Sequence, residues 1–310
     1  MKTFRLSIAF LLLAILLAVV PAALAQDETF GLSEADYQTW VAANANLGTL
    51  QSAGYDFTAT FAVSGIEGSD VSADLSGTGV FSGGDNPMFQ LALSGTISQG
   101  DETEDISVEV RVVNGIVYIN DGSGWQGSSL DAAMAAFGEG FAQGSGMPVN
   151  PADFASGDLS ALTGMEGMGD AMAALGDLQP SEFISLTRSD DVEGQAVFTL
   201  DFDLGGLLAS PAIAPLLAGA MAGDTGEMTE AQLQQMGAMM GMMFGDASIS
   251  FSEHVNASNQ IVQLIFNLGL PLVNMFGPGA GISFNFDVSL SNINGPVVVE
   301  APEGATMMDG

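Results

Sequence analysis

His254 is the single imidazole in 310 residues, and the chain contains no cysteine. It stands in Glu253-His254-Val255-Asn256 at the end of an alternating segment, where it reads as a surface loop residue ahead of a general base. One histidine and no thiol cannot assemble a zinc site of the usual kinds, and they exclude disulfides and thiol chemistry. Ser-His-Asp catalysis stays formally open through His254, but no serine sits in a strained strand-to-helix turn and no nucleophile-elbow or phosphate-loop motif occurs. Asp201 and Asp203 fall on one side of an alternating strand, a spacing that can pair carboxylates for acid-base work, yet on a wet strand face they read as hydrated. The acidic stretches Asp101-Glu102-Thr103-Glu104-Asp105 and Asn120-Asp121-Gly122-Ser123 lack the ligand spacing of a helix-loop-helix calcium site and read as solvated turns. The residues therefore predict no enzyme, no cofactor and no metal.

Charge narrows the partners. Residues 1–25 carry Lys2 and Arg5, an apolar run from Ile8 to Val20, and Ala23-Leu24-Ala25 before Gln26. This is the pattern of a cleaved export signal, too short for a stable membrane span. Residues 26–310 then hold Arg111 and Arg188 against 37 carboxylates, a balance of about −35. No basic footprint for nucleic acid is possible. The acidity reads as a repulsive, solvated surface on an otherwise apolar exported protein without a lipid anchor.

Such residues need elements to place them, and the clearest lie at Ile106–Trp125. Ile106, Val108, Val110 and Val112 alternate with polar residues, Asn114-Gly115 favours a type I′ turn, and Ile116–Ile119 is apolar on both faces. Upstream, Ser33 and Asp36 at capping-box spacing predict a helix over Trp40, Ala43 and Leu47, closed by Gly54. Period-2 strands follow around Tyr55–Val63, Val71–Leu75 and Phe89–Ile97. From Ser128 to Gly176 the period becomes helical, with Ser128 and Asp131 as its start. Strands return at Ile184–Leu186 and Ala196–Leu204. A second helical insert, Ser210–Ala222 and Thr229–Phe244, presents Gly237, Gly241 and Gly245 on one face for close approach of another backbone. The last strands are Ile249–Phe251, Val262–Leu268, Ile282–Leu290 and Pro296–Glu300. About eleven antiparallel strands with helices inserted midway predict an α+β fold. We read residues 26–304 as one domain and 305–310 as a tail.

The order alternating strand, Asn-Gly, Val117-Tyr118-Ile119, Gly-rich turn, Trp125 and helix start resembles a segment of the LppX/LprG-like and LolA-like exported lipid-carrier families. The terminal Pro296-Val-Val-Val-Glu-Ala-Pro302 resembles their closing strand. That resemblance implies a strongly curved half-barrel with helices on its concave face and an apolar cavity between. The sheet-wall residues expected to bind ligand are Phe57, Phe61, Phe89, Leu91, Val108, Val110, Phe198, Leu200, Phe202, Leu264, Phe266, Phe284 and Phe286. Tyr118 joins them from the hairpin, and Met236 and Met240 from the Met-rich insert, where thioethers suit an adaptable lining. The insert 210–244 is expected to act as a movable cover. The resulting expectation is an exported, non-enzymatic carrier of a neutral lipid, with transient membrane contact. A solid-core envelope protein and a hydrolase using His254 are the rival readings.

Overall fold

The computed structural model describes residues 29–66, 70–84, 86–133, 180–210 and 244–308, together with residues 232, 235, 237, 239 and 241. These form two units. The larger holds residues 29–130, 184–203 and 246–308; the smaller holds the described parts of 131–183 and 204–245.

The larger unit opens with α1 (Glu34–Leu47). The hydroxyl Oγ of Ser33 accepts from the Asp36 amide at 3.2 Å and so satisfies one of the first-turn donors. The helix stops at Gly48, earlier than the expected Gly54, which lies inside a strand where a side chain would collide with Ser291. Among the described residues, eleven strands of five residues or more follow in two meanders. The first is β1 (Ser52–Ser64), β2 (Val71–Ser82), β3 (Met88–Gln99), β4 (Glu102–Val113), β5 (Ile116–Asn120) and β6 (Trp125–Ser129). The second is β7 (Ile184–Val192), β8 (Gln195–Phe202), β9 (Ser248–Val255), β10 (Ile261–Pro271) and β11 (Gly281–Ser291).

Pairing of β1 with β11 joins the meanders into one open, curved, mixed sheet, completed by the two-residue β12 (Thr306–Met307) on β6. The order is β12-β6-β5-β4-β3-β2-β1-β11-β10-β9-β8-β7, and only β12 pairs in parallel. Simple neighbour order is what short polar turns between alternating strands produce. Asn114 and Gly115 take the positive φ values, 54° and 73°, that a type I′ turn needs, and Glu193 and Gly194 repeat the arrangement between β7 and β8.

Two expected elements differ. Pro296–Glu300 is not a strand. It lies over the corner of β4 and β5, where Val299 packs with Val113 and Tyr118. Its prolines at 296 and 302 lack the amide donors a ladder needs, so burial of Val299 rather than pairing holds it. Ser128 belongs to β6 and caps nothing; helical residues begin at Leu130.

In the smaller unit, Leu204 ends the expected strand alternation by entering α2 (Leu204–Ala209), which buries Leu204 and Leu208. The glycine row does receive a close backbone. A β-carbon placed on Gly205 would lie 2.7 Å from Gly245 Cα, and one on Gly241 would lie 2.8 Å from Ala209 Cβ. Most of the expected cover hairpin, including Met236 and Met240, lies outside the described residues.

Candidate functional site

Strand register sorts the sheet into two unlike faces, because successive side chains point to opposite sides. Phe57, Phe61, Phe89, Leu91, Val108, Val110, Phe198, Leu200, Phe202, Leu264, Phe266, Phe284 and Phe286 all fall on one face. Tyr118 does not. It pairs with Arg111 on the opposite face, where the C-terminal segment buries it. The apolar character of Ile116–Ile119 on both faces hid this, since neither parity looked wet.

Six rings form a continuous path across the middle of the apolar face: Phe89, Tyr55, Phe57, Phe286, Phe284 and Phe266. Their successive centroids are 5.7–6.5 Å apart. That spacing lies within the range of favourable offset and tilted ring pairs. Tyr55 was missed as a site residue because it reads as the first residue of a strand. Its ring and that of Phe57 lie down over Gly79 and Gly77 of β2, where any β-carbon would strike them. The Tyr55 hydroxyl donates to the Gln90 carbonyl at 3.0 Å, and burial pushes its pKa up to about 12. All six rings keep part of their surface exposed.

The β7–β9 end of the same face is closed. Phe198 is 0% and Leu200 2% exposed there, under α1, whose Trp40 is 1% exposed. One carboxyl sits among them. Glu253 of β9 pairs with Phe198 on one side and Leu264 on the other, and is 3% exposed. Asn44 of α1 donates Nδ2 to its Oε2 at 3.0 Å, while the neighbouring indole Nε1 of Trp40 makes no hydrogen bond of normal geometry. Burial outweighs the Asn44 bond and pushes the Glu253 pKa up to about 7. The sequence hid this residue because a glutamate at an apolar parity beside the single histidine draws the eye to the histidine.

His254 itself is buried within β9, not on a surface loop, and its Nδ1 lies 3.3 Å from the Gln195 amide oxygen. Its bonding includes no serine and no carboxylate, so the described contacts assemble no triad around it. The acidic stretches also resolve into local structure. Glu102 and Glu104 share one face of β4 while Asp105 takes the other, so these carboxylates cannot converge. Asn120 accepts from the amides of Gly122 and Gly124, while Asp121 accepts from the hydroxyl and then the amide of Ser123, and these two Ser123 bonds, the hydroxyl first, hold the Asp121 pKa below the usual carboxylate range. Among the described residues no three acidic or histidine side chains form a metal-ligand group.

Both arginines are committed. Arg111, on the wet face, lies 4.7 Å over the Trp125 ring, donates to the Glu300 carbonyl at 3.2 Å and faces Glu109. Arg188, at the β7 end of the apolar face, covers the Phe198 ring and pairs with Asp36 of α1 and with Asp191. The central rings therefore have no cation among them, and the chain holds no Lys or Arg other than these two beyond residue 5.

No protein-family model matches the chain, and no curated protein matches it either. Among solved structures it is similar to LprF from Mycobacterium bovis, at 15% identity over 86% of this chain and 96% of that one, with a TM-score of 0.34. It is also similar to lipovitellin, described for its lipid-protein interactions, at 8% identity over 83% of this chain and 26% of that one, with a TM-score of 0.29. A β-barrel-like domain from Brucella abortus shares 8% identity over 78% of this chain and 96% of that one, with a TM-score of 0.14.

Proposed function

We propose that this protein binds and carries an apolar, uncharged molecule of lipid class on the aromatic face of its sheet. The observation that carries the reading is the six-ring path, left partly exposed at mid-sheet while the β7–β9 end of the same face is packed shut. A sheet that needed only a core would close both regions alike, because apolar surface left exposed forgoes burial at about 25 cal/mol per Å². Rings lying flat over Gly77 and Gly79 leave a low, smooth stretch of wall, which suits a chain or ring without hydrogen-bonding groups. No described cation stands beside those rings to pair with a phosphate, and the surrounding charge is negative, so a neutral ligand fits better than an anionic one. Acylglycerols, quinones, carotenoids and wax-like chains are the classes this selects.

The test is solvent extraction and mass spectrometry of the purified protein. A bound neutral lipid at close to one per chain is expected. Recovery of none, from protein produced where such lipids are present, would leave a solid-core structural protein as the better account.

A further inference from the structure

The 32 residues from Val255 to Phe286 contain no charged side chain, in a chain carrying 37 carboxylates. They form β10, the Gly281–Phe286 part of β11 and the hairpin tip between them, Leu272–Ala280. That tip is built to hold apolar residues outward. It contains the one-turn helix α3 (Val273–Phe276), closed by backbone bonds from Phe276 to Leu272 and from Gly277 to Val273. Its base is tied by Leu272 N to the Ala280 carbonyl at 2.8 Å and by Ser64 Oγ to the Gly279 carbonyl at 3.1 Å. On this fixed turn Val273 is 42% and Phe276 40% exposed. Glycines at 277 and 279 with φ of 99° and 84° give the return path, which other residues rarely adopt.

Register places the tip at the end of the sheet that also carries the β1–β2 and β3–β4 turns. Exposed Asp70, Asp101, Glu102 and Glu104 stand there. The arrangement is an apolar point within an acidic rim, and the apolar face runs to it without interruption through Phe266, Leu268 and Leu270 of β10.

We propose that the Leu272–Ala280 tip is a lipid-surface contact, inserting Val273 and Phe276 into a zwitterionic or uncharged lipid layer so that an apolar ligand passes along β10 and β11 without crossing water. A second copy is the poorer occupant. Two side chains per partner bury far less than the roughly 1,200 Å² of a stable protein interface, and both copies carry the same negative field. A lipid layer needs only shallow insertion of a few apolar groups, and the acidic rim selects against anionic headgroups. The transfer half of this proposal rests on the carrier reading; the contact half does not.

The full chain is tested on phosphatidylcholine vesicles and on vesicles of phosphatidylcholine with phosphatidylglycerol. The indole introduced by Phe276→Trp should be quenched by brominated phosphatidylcholine and should respond less when phosphatidylglycerol is added. The indole introduced by Val298→Trp, on the C-terminal segment, should not be quenched. The double substitution Val273→Ser with Phe276→Ser, compared with wild type at a temperature where both chains are folded by circular dichroism, should lower the rate at which a neutral fluorescent lipid moves from protein to vesicle by at least about tenfold. An unquenched Phe276→Trp indole, or unchanged transfer in the double variant, overturns the proposal while leaving the carrier reading intact. A chain that takes up no neutral probe in vesicle-free buffer overturns the carrier reading alone, since quenching at the tip reports contact without ligand.

Discussion

Glu253 is the residue whose chemistry departs furthest from its sequence appearance. It is a carboxyl on the apolar parity of β9, held between Phe198 and Leu264 and roofed by Trp40 and Asn44 of α1. The nearest charges on that face, Arg188 and Asp36, neutralise each other beyond Phe198. Because the folded pKa is raised from 4.5 to about 7, the folded chain holds this proton more tightly than the unfolded one. The stabilisation is complete below pH 4.5 and is lost as pH rises through about 7. Glu253→Gln keeps the shape and the Asn44 bond without the charge. Its urea midpoint should therefore gain on wild type between pH 5 and pH 8, by roughly 3 kcal/mol in free energy. Parallel pH profiles for the two proteins would show that Glu253 is not the group responsible.

At the scale of elements, two coverings matter, one on each face. α1 closes the β7–β9 end of the apolar face, whereas the C-terminal segment closes the opposite face at β4–β6. The second rests on Val299, 5% exposed between Val113 and Tyr118, and on the Arg111 bond to Glu300. Val299→Ala should cost roughly 2 kcal/mol, from lost burial plus the cavity left behind. It should also release residues 296–308 to protease before the sheet melts. An unchanged urea midpoint would mean that the segment is held by β12 pairing alone. The alternation and turn signals made most of these elements legible in advance: α1 begins at its Ser33 cap, and the Asn114-Gly115 hairpin forms where expected. The C-terminal segment was read as a strand because Val297-Val298-Val299 has strand composition. Propensity describes fit to a pleated, half-buried surface, and here the surface available was a corner already occupied by Tyr118.

For the whole molecule, charge decides what can approach. With Arg111 and Arg188 both paired and the balance near −35 over residues 26–310, ligand selectivity should follow headgroup charge. In competition at physiological salt and without divalent cations, diacylglycerol should displace a neutral long-chain probe more strongly than an anionic phospholipid of equal chain length. The reverse order would require a cationic group at the ligand and would remove the neutral-ligand reading.

The sequence by itself determined most of the strands, the dry and wet parity within each, and the acidity. Period-2 alternation records which side of each strand is wet, so the thirteen wall residues could be assigned to one surface before any coordinates. What only the tertiary structure decided was which faces meet which coverings. Sequence parity within β5 could not say that Tyr118 faces the C-terminal segment, because both parities of Val117-Tyr118 are apolar and both are buried. Nor could it say that Glu253 is desolvated by a helix 209 residues earlier in the chain, or that Tyr55 and Phe57 lie down where β2 carries Gly77 and Gly79. Those facts depend on long-range pairing, in which the value of a side chain is set by neighbours that local pattern does not encode.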